Sequence, residues 1–217
     1  MQVATEVASA SHVEEALRAG LNTFWIGART TTSPFAVAEL AEALSGEDVT
    51  VLVKNPLNPD IELWEGALLR LKSAGVDRIA AIHRGFSTYG KGFYRNAPLW
   101  QIPIELRRRH PALTILVDPS HISGRRDLVP LVSRIGLEMN FSGLMVETHL
   151  QPAEAWRDAA QQLTPEALFQ LIAELDIRPV SLADSPQLRA LRGEIDELDR
   201  KLLLLLQERM KVSERIG

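Results

Sequence analysis

The sequence predicts an α/β fold on a parallel sheet, and two observations carry that expectation. One unit, a short β-branched or apolar run followed by a few polar or Gly residues and then a helical pattern ending near Gly or Pro, recurs six times in the first 175 or so residues. The runs are also near-continuously apolar rather than alternating, as in strands covered on both faces.

Taken in order, the expected strands are Val3–Val7, Thr23–Ile26, Val49–Val53, Ile79–Ile82, Leu113–Val117 and Gly143–Val146. The expected helices lie near Ser11–Ala19, Pro34–Leu44, Asp60–Ala74, Pro103–His110, Leu128–Asn140 and Pro165–Leu175. Thr164-Pro165-Glu166 is a strong start signal for the last helix, with Thr as cap and Pro in the first turn. Roughly 29 residues per unit is the pace of a (β/α)8 barrel, whose usual length of about 250 residues leaves two units unaccounted for. An open doubly wound sheet of six strands fits the same count.

After Arg178 the pattern changes. Residues 179–187 read as a linker, and 188–217 as a second, helical module with no Gly or Pro between Glu194 and Ile216. Leu188, Leu191, Ile195, Leu198, Leu202 and Leu205 follow at alternating intervals of three and four, a seam that packs on partner helices. Extended by four, the seam lands on Arg209, then on Val212 and Ile216.

Composition narrows the chemistry. The 217 residues carry 24 Lys+Arg against 28 Asp+Glu, a net charge of −4, so no basic field exists to hold nucleic acid or an anionic membrane. No apolar run reaches the roughly 18 residues of a membrane span, and Met1 to Glu15 lacks the order of a signal peptide, so a cytoplasmic protein is expected. The absence of cysteine excludes disulfides, thiolate metal sites and a cysteine nucleophile.

Each expected strand has an ionisable residue at or just past its end: Glu6, Arg29, Lys54, His83-Arg84, Asp118 with His121, and Glu147 with His149. Ligands of parallel α/β folds bind at those strand ends. Arg29, Lys54 and Arg84 together suit a compact polyanion bearing phosphate and carboxylate. His121, Glu147 and Asp158 offer an imidazole and two carboxylates, a set for Mn²⁺, Fe²⁺ or Zn²⁺, although spacings of 26 and 11 residues form no motif. Asp158 serves equally well as a helix cap near Trp156, and His149 as a surface imidazole.

At these residues the chain resembles one family closely. The strings are Gly27-Ala28-Arg29-Thr30-Thr31-Thr32, Val53-Lys54-Asn55-Pro56, His83-Arg84-Gly85-Phe86, Tyr94-Arg95-Asn96, Asp118-Pro119-Ser120-His121, Gly143 through His149, and Asp158 through Gln162. They resemble the 3-deoxy-D-arabino-heptulosonate 7-phosphate (DAHP) synthases, of the branch related to the octulosonate 8-phosphate synthases. The resemblance implies a (β/α)8 barrel, here lacking its first two βα units, that condenses phosphoenolpyruvate with erythrose 4-phosphate at the entry to the shikimate pathway. It implies that Arg29, Lys54 and Arg84 clamp phosphoenolpyruvate, that His121, Glu147 and Asp158 bind the divalent metal, and that Lys54, Asp118 and His121 serve the reaction. The tail, Leu191 to Asp199 and then Leu206 to Met210, resembles the first helix of the all-helical chorismate mutases, which implies that Arg192 and Arg209 hold chorismate. The apolar seam itself leads to the expectation that the helix pairs subunits into a homo-oligomer, since one amphipathic helix needs a partner to cover that face.

The family's metal-binding cysteine and Lys-Pro-Arg-Thr motif do not occur, and the mutase's later helices would lie past Gly217. An interior fragment of a longer protein is therefore the expectation. An octulosonate 8-phosphate synthase-like enzyme and a non-catalytic fragment retaining a phosphate site are the alternatives.

Overall fold

The computed structural model describes residues 3–90, 92–175 and 186–215, with the side chains of 186–189 and 192 outside the description. The expected linker, 179–187, falls largely outside it. The chain divides into two compact units, 1–175 and 176–217.

In the first unit, strands β1 (Thr5–Val7), β2 (Thr23–Ile26), β3 (Thr50–Lys54), β4 (Arg78–His83), β5 (Thr114–Val117) and β6 (Gly143–Leu144) alternate with helices. These are α1 (Ala10–Arg18), α2 (Ala28–Thr31), α3 (Pro34–Ala43), α4 (Ile61–Ser73), α5 (Gln101–Arg109), α6 (Pro119–Ser123), α7 (Val129–Glu138) and α8 (Pro165–Glu174). The six strands lie side by side in chain order, and every pairing is parallel. A doubly wound sheet reverses direction at a switch point, whereas this one never does. Constant winding is the barrel's topology, which decides between the two architectures the sequence admits. Past β6 a parallel bridge joins Thr148 to Leu163: the Leu163 amide donates to the Glu147 carbonyl and the His149 amide to the Leu163 carbonyl.

Register assigns the two faces. Glu6, Trp25, Leu52, Ala80 and Thr114 align across the sheet on one face, and Val7, Ile26, Val53, Ala81 and Ile115 on the other. The second row is buried together with Val13 of α1, Val37 and Leu40 of α3, Trp64 and Leu71 of α4 and Leu106 of α5. Local chemistry places the helix starts. The side chains of Ser9, Ser33, Asp60 and Thr164 accept amides of the first turns of α1, α3, α4 and α8, each satisfying an N–H that the helix leaves without a partner.

The second unit contains α9 (Pro186–Glu214), 29 residues long. Its seam residues Leu191, Ile195, Leu198, Leu202 and Leu205 are each more than half exposed, as is Met210. Among the described residues no helix is long and apolar enough to cross a membrane.

Candidate active site

The carboxyl ends of the strands bring the predicted polar residues together. Lys54 ends β3, and its Nζ lies 3.0 Å from Oδ2 of Asp118, the residue after β5. Asp118 is the N-cap of α6: its Oδ1 accepts the His121 amide at 3.0 Å, while its Oδ2 lies 2.8 Å from His121 Nδ1. A single carboxylate thus caps the His121 amide and lies in ion-pair contact with its ring. The ring's other nitrogen, Nε2, then faces Glu147 Oε1 at 3.6 Å. Burial alone would raise the Asp118 carboxyl, but the His121 hydrogen bond and the Lys54 charge outweigh it and hold the group near a pKa of about 2.

Arg84, the residue after β4, is 6% exposed. Its backbone amide donates to Asn55 Oδ1 at 2.7 Å and its Nη1 to Asn96 Oδ1 at 2.9 Å. Burial lowers its pKa, and Asp118, Arg95, Arg29 and Asp158 all lie close enough to act on its charge. Arg29 itself stands exposed on α2, reached through Gly27, whose hydrogen leaves room for the Glu6 side chain.

His121, Glu147 and Asp158 each offer a ligand atom, all within 4.8 Å of one another. One imidazole and two carboxylates at that spacing need only a small contraction to sit about 2.1 Å from a common ion, and a carboxylate on the far ring nitrogen is the usual support for a ligating histidine. These residues fit a divalent metal. Asp158 caps none of the described helices; it adopts a left-handed backbone (φ 54), which Asp tolerates better than most residues, and accepts from Arg95. His149 is not one of the three clustered ligand residues, and its Nδ1 accepts the Gln151 amide at 3.0 Å.

One strand-end residue departs from expectation. His83 is the last residue of β4, but alternation turns it into the helix layer, fully buried among Trp64, Phe86 and Trp100, and not into the mouth. Burial lowers its pKa to about 3, the Arg84 charge acting in the same direction and the Pro98 carbonyl and Asp118 opposing. The unfolded chain takes up a proton on this ring below pH 6.5 while the native state does not, so stability drains as pH falls from about 6.5 toward 3. Between pH 7 and pH 5 the loss is about 2 kcal/mol at roughly 1.4 kcal/mol per pH unit. His83→Phe flattens that limb of a urea-unfolding series against pH; equal slopes in both proteins would remove the assignment.

The sequence singled out no role for Arg95, Asn96, Asn55, Gln161 or Ser120, all of which hold site residues. Gln161 Nε2 donates to Glu147 Oε2 at 2.7 Å, and the Glu147 amide donates to Ser120 Oγ at 3.0 Å.

Fold and site define the class: a parallel α/β unit wound as a barrel, with buried cations and a histidine–carboxylate trio at one strand-end mouth. Residues 1–177 match the DAHP synthetase I family, and the chain belongs to it. It is 34% identical over 125 residues to a phospho-2-dehydro-3-deoxyheptonate aldolase of Thermotoga maritima, a match that takes in 58% of this chain and 36% of that protein. A 2-dehydro-3-deoxyphosphooctonate aldolase of an Acidovorax species is 39% identical over 56 residues, 24% of this chain and 20% of its own length. The solved truncated form of the Thermotoga maritima 3-deoxy-D-arabino-heptulosonate 7-phosphate synthase superposes with a TM-score of 0.71 at 29% identity, covering 80% of this chain and 64% of that one.

Proposed function

We propose that the protein condenses phosphoenolpyruvate with erythrose 4-phosphate to DAHP and phosphate, with a divalent metal. The observation that carries this reading is the approach of buried Lys54 and Arg84 to the His121, Glu147 and Asp158 trio at one mouth, which pairs an anion clamp with a metal site. Arg84 and Lys54 supply desolvated positive charge to the phosphate and carboxylate of phosphoenolpyruvate, with the more exposed Arg29 at the rim. The metal, Mn²⁺, Fe²⁺ or Zn²⁺, would polarise the aldehyde of the second substrate when bound by His121, Glu147 and Asp158. Carbon 3 of the enol attacks that aldehyde, water adds at carbon 2, and the C2–O bond to phosphate breaks as phosphate leaves. Asp118 keeps Lys54 and His121 in register with the two substrates. Turnover with erythrose 4-phosphate and none with arabinose 5-phosphate supports the reading; the reverse preference identifies an octulosonate synthase, and binding without product a non-catalytic phosphate site.

The exposed seam of α9 supports a second activity in the same protein: chorismate mutase, with Arg192 and Arg209 as chorismate ligands and the helix pairing subunits. Residues 1–178 form the synthase part, 179–187 the linker and 188–217 the first mutase helix in this reading. An arginine on an apolar seam is costly unless it meets an anion, and Arg209 occupies a position that Leu fills in the preceding turns and Val in the next. Arg209→Leu is expected to abolish mutase turnover while sparing condensation. A plain coiled coil, with Arg209 reaching to water, gains stability from the same substitution and keeps whatever mutase turnover the protein has.

A further inference from the structure

Residues 92–97 lead back to a neck at which Phe86 and Ala97 exchange both backbone hydrogen bonds at 2.8 Å. This return limb lies along α6: the Arg95 amide donates to the Ser123 carbonyl and the Asn96 amide to the Ile122 carbonyl. From that limb two consecutive side chains reach both the metal trio and Arg84. Arg95 Nη1 donates to the Asp158 carboxylate and, at 2.7 Å, to Gln161 Oε1. Gln161, 1% exposed, passes the contact on by donating Nε2 to Glu147. Asn96 Nδ2 donates to the His121 carbonyl at 2.6 Å, and its Oδ1 accepts from Arg84.

Two glycines reserve the space for this limb. Gly85 (φ +77) would place a Cβ 2.8 Å from the Asn96 carbonyl oxygen, and Gly124 (φ +67) would place one 2.3 Å from Arg95 Cβ. Both have left-handed backbones that a side chain would strain in any case. Asp158, by contrast, lies in an irregular segment with no helix or strand to aim it.

We propose that Arg95 and Asn96 are positioning residues: Arg95 holds the two carboxylates of the metal trio in their ligating orientation, directly at Asp158 and through Gln161 at Glu147, and Asn96 ties the His121 segment to the Arg84 anion clamp. The proposal rests on the metal and clamp assignments above. Positioning and plain electrostatics have opposite signs here. A guanidinium beside a cation site repels the ion, so if charge were its whole effect, removing Arg95 would tighten metal binding. If it aims the ligands, removing it loosens binding, by the 10- to 100-fold typical of groups that orient metal ligands.

The test is Mn²⁺ affinity of the protein, read by calorimetry and by the electron paramagnetic resonance of bound Mn²⁺, with phosphoenolpyruvate affinity measured separately without metal. Arg95→Met is expected to weaken Mn²⁺ binding by about 10- to 100-fold and to leave phosphoenolpyruvate affinity within about threefold. Arg95→Lys keeps the charge but loses the fork, so its loss is intermediate. Asn96→Ala is expected to weaken both ligands. Wild-type or tighter Mn²⁺ binding in both Arg95 variants overturns the proposal, and the Lys variant decides alone if Arg95→Met does not fold. Failure of the underlying reading has its own signature: Glu147→Gln then binds Mn²⁺ as wild type does, which removes the trio and the proposal with it.

Discussion

Glu147→Gln is expected to abolish condensation, by more than about 100-fold, and to remove stoichiometric Mn²⁺ while leaving phosphoenolpyruvate affinity within about threefold. The substitution keeps the shape of the side chain and deletes its charge. Glu147 Oε2 accepts from Gln161, and its Oε1 faces His121 Nε2, so the carboxylate is already aimed by one partner at the ligand beside it. A carboxamide must turn either its NH₂ toward the Gln161 donor or that group toward the ion, and neither replaces a carboxylate oxygen on a cation. The phosphoenolpyruvate contacts are proposed for Lys54, whose ammonium meets Asp118, and for Arg84, whose guanidinium meets Asn96 and the Gly85 carbonyl rather than Glu147. The two ligands should therefore separate cleanly, and His121→Ala should behave alike. Metal analysis beside steady-state turnover decides it: a variant with full metal content and normal turnover removes Glu147 from the ligand set.

The residues of that experiment were legible in the sequence because their signal is local. A charged residue directly after an apolar run of a parallel α/β pattern stands at the mouth end, which found Lys54, Arg84, Asp118 and Glu147 from spacing alone. The same rule misdirects at His83, where one step of alternation along β4 turns the ring into the helix layer. Short helices escaped for a related reason. Residues 28–31 and 119–123 give about one turn each, too short for a period of 3.6 to register, and α6 exists because Asp118 caps it and Pro119 fits its first turn. The α5 start at Gln101 precedes the expected Pro103 because proline is tolerated within a first turn. The supporting groups were illegible on different grounds. Arg95 meets Asp158 and Gln161 across 63 and 66 residues of sequence, Asn55 and Asn96 are uncharged amides, and nothing in a linear pattern says which distant group an amide will join.

Asp118→Asn is expected to be among the most destabilising single substitutions in the first unit, at about 3–5 kcal/mol, because it strands a buried ammonium. Lys54 is 8% exposed, and Asp118 Oδ2 is the partner that its Nζ meets at 3.0 Å. An amide offers Lys54 one neutral oxygen at best, and that oxygen cannot also accept the His121 amide that caps α6. Lys54→Met costs less. The Asp118 carboxylate then keeps the His121 amide and the ring nitrogen 2.8 Å away, so its charge remains partly compensated. The double variant Lys54→Met with Asp118→Asn should be more stable than Asp118→Asn alone, since it replaces a lone buried charge by two neutral groups, with a coupling of about 1–3 kcal/mol in the cycle. Activity should follow the opposite logic. If Lys54 carries the phosphate or carboxylate of phosphoenolpyruvate, the double variant regains stability and regains no turnover, because its mouth has lost a cation whatever its melting point. At roughly 2–4 °C per kcal/mol for a chain of this size, thermal melts resolve the three variants from one another. Recovery of turnover along with stability would confine Lys54 to a structural pairing and leave Arg84 as the buried cation of the clamp.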